Sequence, residues 1–128
     1  MARIWIADDD STCLFMLGGI LRPLGHELTQ FSDGAAMLER LQDPQEAVPD
    51  LILTDVMMPG CDGYTLQQKF REDSRLRGVP VIVITAKDGL RETFSLEQGV
   101  VAFIHKPVEF NSLQAAVTKA LKEKEAHD

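Results

Sequence analysis

Four short runs of consecutive apolar residues, many of them β-branched, punctuate this chain: Ile4-Trp5-Ile6-Ala7, Leu51-Ile52-Leu53, Val79-Pro80-Val81-Ile82-Val83-Ile84 and Val100-Val101-Ala102-Phe103-Ile104. A strand with one wet face alternates apolar and polar residues. An uninterrupted apolar run reads as a strand covered on both faces, as in parallel sheets. A fifth segment, His26-Glu27-Leu28-Thr29-Gln30-Phe31, does alternate and reads as a more exposed edge strand. Between these runs the apolar residues fall at helical spacing. Leu14, Leu17 and Leu21 follow a cap candidate at Asp10 or Ser11, and Met37 and Leu41 follow Ser32-Asp33 and stop at Asp43-Pro44. Tyr64 to Phe70 is a short third helix, and Leu90 and Phe94 mark a fourth that Gly99 ends. Phe110, Leu113, Val117 and Leu121 define the fifth and most amphipathic helix. Gly18-Gly19 weakens the first helix by roughly 1 kcal/mol per glycine unless packing needs the space.

Strict strand–helix alternation predicts an α/β fold: a five-stranded parallel sheet, doubly wound, of the (βα)5 type. The 128 residues make one domain, assigned to 1–121, with a charged tail at 122–128 that is expected to fray. A net charge of −7 repels phosphate backbones and disfavours direct nucleic-acid binding. Two cysteines, Cys13 and Cys61, are too few for a disulfide framework and suit a reducing, cytoplasmic setting. The N-terminus lacks a basic segment followed by an apolar run, and no uncharged stretch approaches the ~20 residues of a membrane span.

Ligands of open α/β sheets bind beyond the carboxyl ends of the strands. The first strand runs into Asp8-Asp9-Asp10, the third into Thr54-Asp55, the fourth into Thr85-Ala86 and the fifth into His105-Lys106-Pro107. In a parallel sheet these groups meet on one edge. Taken singly, each has an ordinary reading. Asp8-Asp9-Asp10 serves as well as a helix-capping cluster, Asp55 as a turn opener, Thr85 as a strand end and Lys106 as a surface lysine. Taken together, crowded carboxylates need a proton or a cation, and carboxylate oxygens with water suit Mg²⁺. A hydroxyl and an ammonium opposite suit a phosphoryl group, and an Asp there can be the nucleophile. The chemistry is metal-assisted phosphoryl transfer onto a carboxylate.

The runs Ile6-Ala7-Asp8-Asp9-Asp10, Leu53-Thr54-Asp55-Val56-Met57-Met58-Pro59-Gly60-Cys61-Asp62-Gly63, Ile84-Thr85-Ala86 and Lys106-Pro107 resemble response-regulator receiver domains of the single-domain chemotaxis type. That resemblance covers nearly the whole chain and implies a flavodoxin-like strand order 2-1-3-4-5. It implies that Asp55 accepts a phosphoryl group from the phosphohistidine of a sensor histidine kinase or phosphotransfer protein. Asp9 would bind Mg²⁺ directly, Asp8 largely through water, and Asp55 and the Met57 carbonyl would complete the protein's ligands. Thr85 would hydrogen-bond the phosphoryl oxygen, Lys106 would pair with it, and Lys106-Pro107 would be cis. Phe103 takes the place of an aromatic that rotates inward as Thr85 moves, and plain core packing explains it equally well. Such a domain turns over no independent substrate. It catalyses only its own phosphorylation and dephosphorylation and signals to a protein effector through the face of the fourth helix, fifth strand and fifth helix. An alternative is a receiver excised from a longer regulator or hybrid kinase, or a phosphate shuttle.

Competing classes lack their required residues. A small Mg²⁺-dependent phosphatase using an aspartyl-phosphate wants a second Asp where Met57 stands. A flavodoxin-like cofactor binder wants a phosphate loop where Asp8-Asp9-Asp10 would repel one. A receiver retained only for docking would not need the complete acid, threonine and lysine set.

The chain departs from the family pattern in places. Lys106 lies 21 residues after Thr85, about one fewer than the family's spacing, so the fourth helix or its loop is shortened. Phe103 has no hydroxyl for an output hydrogen bond, and Val100-Val101-Ala102 lacks the acid common there. Met57 and Lys87, each two residues beyond a phosphoryl-facing residue, flank the site; apolar Met57 is expected to slow hydrolysis and Lys87 to attract anionic donors. Met57→Asn should therefore shorten the lifetime of the phosphorylated protein. An unchanged dephosphorylation rate would remove that role.

Overall fold

The computed structural model describes residues 2–55, 63–85 and 100–127. Among them run β1 (Arg3–Ala7), α1 (Ser11–Leu21), a 3-10 turn (Arg22–Leu24), β2 (Glu27–Phe31), α2 (Gly34–Leu41), β3 (Leu51–Asp55) and α3 (Gly63–Glu72). They are followed by β4 (Val81–Thr85), β5 (Val100–His105) and α4 (Phe110–His127). The helix expected around Leu90 and Phe94 lies outside the described residues, as do Met57, Cys61 and Lys87. All strand pairings are parallel and the order is β2-β1-β3-β4-β5. The chain leaves β1 toward β2 and then crosses back to β3, so the winding reverses between β1 and β3.

Each strand feeds two cores, because successive side chains point to opposite faces. Trp5 and Ala7 join Phe31, Met37, Ile52, Phe70, Val81 and Val83 on the face that α2 and α3 cover. Ile4 and Ile6 join Leu17, Leu21, Leu53, Ile82, Ile84, Leu113 and Val117 on the face that α1 and α4 cover. This double burial is why β1, β3 and β4 read as unbroken apolar runs. On the first face Trp5 and Phe31 pack with ring centroids 5.3 Å apart, and the Arg40 guanidinium stacks over both rings at 5.4 and 5.7 Å.

The β2 segment is an edge strand, as its alternation predicts. β5 is the other edge, and the expectation of burial on both faces fails there: Val101, Ala102 and Phe103 are only half-buried because β5 has a ladder partner on one side alone. β4 starts two residues later than the apolar run. Pro80, which has no N–H to give the ladder, precedes it and accepts from the Ile52 amide at 3.1 Å. The helix α4 continues to His127, so the charged segment 122–127 is helical. Lys and Glu are good helix formers and carry the last amphipathic helix onward.

The helices start where their caps are. The Asp10 carboxylate accepts from the amides of Thr12 (3.0 Å) and Cys13 (3.4 Å), and Asp33 accepts from the Ala36 amide (2.7 Å). At the far end of α2, Arg75 donates to the Leu41 carbonyl at 2.7 Å, satisfying one of the orphan acceptors of a helix C-terminus. Gly25, at φ 92°, makes the left-handed turn into β2.

Gly18 and Gly19 have opposite surroundings. A Cβ on Gly18 would press on the Arg22 guanidinium and lie 3.2 Å from the Gln30 amide nitrogen, which itself donates to the Leu14 carbonyl at 2.7 Å. A larger residue there would have to displace the Arg22 guanidinium and crowd the hydrogen-bonded Gln30 amide. A Cβ on Gly19 would meet nothing within 4 Å. Gly19→Ala should raise stability by about 1 kcal/mol in urea unfolding. Gly18→Ala should gain less or lose, and equal gains would refute the packing reason for Gly18.

Candidate active site

Parallel pairing brings the carboxyl ends of β1, β3, β4 and β5 to one edge, beside the winding reversal. Asp8 follows β1 directly. Its amide continues the ladder to the Phe31 carbonyl at 3.1 Å, which fixes where its side chain emerges. Asp55 ends β3, paired with Ile84. Both acids are buried, Asp8 at 1% and Asp55 at 6% exposure, while Asp9 is exposed. Asp8, Asp9 and Asp55 each offer a carboxylate oxygen within 4.8 Å of the others. Forty-seven residues separate the two buried acids in sequence, so only the parallel register brings them together.

Among the described residues, one cation answers them. The Lys106 ammonium donates to Asp55 Oδ2 at 2.7 Å and to Asp8 Oδ1 at 3.2 Å, and lies 3.0 Å from Asp8 Oδ2. Lys106 follows β5 and precedes Pro107 through a cis peptide, as the resemblance implies. Burial alone would lower the lysine's pKa, but its bonds to Asp55 and Asp8 more than offset this and hold the ammonium above its ordinary range. Burial dominates at Asp8 and raises its pKa, helped by the Asp55 charge. The Asp10 amide, bonded to Asp8 Oδ1 at 2.9 Å, and Lys106 oppose the rise. Among the described residues, three carboxylates face one ammonium and leave an anionic excess.

The donor set fits a hard divalent cation. All three acids offer oxygen, and Asp8 Oδ2 is buried and accepts no hydrogen bond. The Lys106 ammonium lies 3.0 Å from that oxygen without a well-formed hydrogen bond, and its remaining lone pairs suit a cation or a cation's bound water.

Thr85 is the last residue of β4 and pairs with His105, which places it on the same edge. Phe103 pairs with Val83 and rests half-buried against the Trp5-side core. The structure thus brings together Asp8, Asp9, Asp55 and Lys106, puts Thr85 at the same edge by its main chain, and shows Phe103 packed rather than solvent-facing. Met57 falls outside the described residues.

The sequence names two further residues without assigning them a place in the site. Cys13, one turn into α1, is buried beside Asp8, and burial followed by its contact with that carboxyl pushes the thiol up to about 12. The cap at Asp10 is the signal that would have placed it, because a helix starting there turns residue 13 back toward the strand end. Thr54 is 3% exposed, and its hydroxyl donates to the Asp55 carbonyl at 3.0 Å. Its signal was a hydroxyl in an otherwise apolar strand.

Comparison with known proteins agrees with this edge. The response regulator receiver domain profile matches residues 4–118. The response regulator PleD of Caulobacter vibrioides is 37% identical over 117 residues, which are 91% of this chain and 25% of PleD; the chain spans about a quarter of that relative. Protein PilH of Pseudomonas aeruginosa is 30% identical over 124 residues, 94% of this chain and 98% of PilH. Among solved structures, a CheY-like receiver domain protein from Methanospirillum hungatei superposes with a TM-score of 0.87 at 29% identity, covering 100% of this chain and 99% of its own. The receiver domain of a Pseudomonas aeruginosa sensor histidine kinase, with magnesium coordinated in its active-site cleft, superposes with a TM-score of 0.80 at 27% identity over 94% and 98%. Sheet order, profile and relatives agree, and the chain belongs to the response-regulator receiver domain family, the receiving module of two-component signalling.

Proposed function

We propose that Asp55 is the phosphoryl acceptor and that Asp8 and Asp9, with Asp55, hold Mg²⁺ beside it. The observation that carries this is the Lys106 ammonium held between Asp55 and Asp8, with the Asp9 carboxylate completing the oxygen cluster. An Asp55 carboxylate oxygen attacks the phosphorus of a phosphohistidine. The new O–P bond gives an acyl phosphate, the P–N bond breaks, and its electron pair stays on the imidazole, which takes a proton from solvent. Mg²⁺, when bound, neutralises phosphoryl charge. Lys106 is already within hydrogen-bond reach of the acceptor, so it can follow the negative charge onto the phosphoryl oxygens without travelling. The Thr85 hydroxyl is assigned to a phosphoryl oxygen, and the Met57 carbonyl to the metal.

The product replaces the singly charged Asp55 carboxylate by an acyl phosphate of roughly two negative charges, a net gain of about one charge together with new acceptor oxygens at an edge that is already anionic. Thr85 is drawn toward that charge, and Phe103 on the adjacent strand takes the space it leaves. This biases the surface of β5 and the C-terminal helix between two packings that a protein effector reads. The domain acts on no independent substrate in this reading. Its partners are a sensor histidine kinase or phosphotransfer protein and a protein effector, in the cytoplasm, without direct nucleic-acid contact. Among the described residues no helix is long and apolar enough to cross a membrane.

Incubation with acetyl phosphate and Mg²⁺, followed by intact mass, should show one phosphoryl adduct on the parent protein and none on Asp55→Asn. Chelation should abolish the adduct. Absence of an adduct on a parent that demonstrably binds Mg²⁺ would overturn the acceptor assignment.

Asp8 makes a separate prediction. Burial raises its pKa in the folded, metal-free protein above the ordinary 3.8, so folding takes up a proton across that window. Stability therefore falls as pH rises through it. Asp8→Asn should remove that slope in urea unfolding with chelator present, and be no less stable than the parent at neutral pH. The same variant should bind Mg²⁺ more weakly by roughly tenfold or more in calorimetry.

A further inference from the structure

Thr54 is the buried hydroxyl that the phosphoryl-transfer chemistry leaves unused. It sits in the middle of the sheet, paired with Ala7 of β1, at 3% exposure among apolar neighbours. A valine would fill this volume without burying a polar atom. The hydroxyl instead donates at 3.0 Å to the main-chain carbonyl of Asp55, its immediate successor.

That carbonyl belongs to the peptide by which the chain leaves β3. Once it is tied, rotation about the Cα–C bond of Asp55 is restrained. The other side of the same Cα is restrained by the ladder, where Asp55 pairs with Ile84. The direction of the Asp55 side chain follows from the main chain on both sides of its Cα, and its tip is then held by Lys106 at 2.7 Å. Removing the hydroxyl releases one of these three restraints at the point where strand order ends.

We propose that Thr54 is a positioning residue for the acceptor: its hydroxyl, by fixing the peptide after Asp55, aims the Asp55 carboxylate into the cluster with Asp8, Asp9 and Lys106. The inference rests on the reading of Asp55 as acceptor. Its chemical basis is general, since displacements of about 1 Å in a reacting group can cost on the order of a hundredfold in rate. A hydroxyl facing the backbone corrects such an error without touching the reacting atoms.

The test compares Thr54→Val, which keeps shape and removes the hydroxyl, with Thr54→Ser, which keeps the hydroxyl. Thr54→Ala is a second hydroxyl-free variant in case the valine does not fold. Three quantities are read on the whole chain: the initial rate of adduct formation with acetyl phosphate, Mg²⁺ affinity by calorimetry, and the urea midpoint. Thr54→Val and Thr54→Ala should slow adduct formation and weaken Mg²⁺ binding by roughly tenfold. Thr54→Ser should stay within about twofold of the parent on both, as expected if the hydroxyl orients its neighbour. The valine variant should unfold at a urea midpoint no lower than the parent's, which separates positioning from loss of structure. If a folded Thr54→Val or Thr54→Ala phosphorylates and binds Mg²⁺ like the parent, the inference is overturned. It is equally overturned if Thr54→Ser is as impaired as they are. A parent that forms no adduct would instead refute the acceptor assignment, so the two failures are distinguishable.

Discussion

Two carboxylates buried side by side repel each other and each loses its hydration; that arrangement persists only with a compensating positive charge close by. Here Asp8 and Asp55 are brought together by adjacent strands, and Lys106 answers both from the end of β5. The ion cluster joins residues from β1, β3 and β5 across the strand ends, including two strands that are not neighbours in the sheet. It is also incomplete. Among the described residues an anionic excess remains, and one buried oxygen of Asp8 has the Lys106 ammonium nearby but accepts no well-formed hydrogen bond. A site balanced in this way is poised for a cation and, through it, for a phosphoryl group.

The rest of the fold supplies rigidity to that edge. β1, β3 and β4 are buried on both faces, so a shift of their ends would disturb two cores at once. The residues carrying chemistry are the first ones beyond this rigid block. The cap at Asp10 starts α1 as soon as the strand end allows. Its main-chain amide reaches back to Asp8, so the helix start and the acidic site are one hydrogen-bonded unit. The outer strands differ. β2 meets the cluster only through its main chain, at the Phe31 carbonyl that accepts from the Asp8 amide, whereas β5 carries Phe103 and leads into Lys106 on a half-buried edge.

Much of this was legible in the residues. Apolar runs with no polar alternation identify strands buried on both faces, and the acids and lysine just beyond them identify the edge that matters. The exceptions have physical causes. Val100 to Ile104 reads as doubly buried, yet it forms an edge strand, because apolar content reports what a strand can bury and says nothing of how many neighbours it gets. Thr54 is legible as a polar residue at a strand end but its role is not, since a hydroxyl's partner is set by main-chain geometry there. Cys13 looks like an isolated thiol until the helix start is placed.

By itself the sequence determined the class of fold, the parallel alternation and the chemical kind of the site, because these depend on periodicity and on which residues follow each strand. Only the tertiary structure decided that Asp8 and Asp55 are buried while Asp9 is exposed, that one ammonium serves both buried acids, and that Thr54 ties down the acceptor's own carbonyl. Those outcomes are distances between groups far apart in the chain or angles at a single peptide. Neither is encoded in a pattern of residue types.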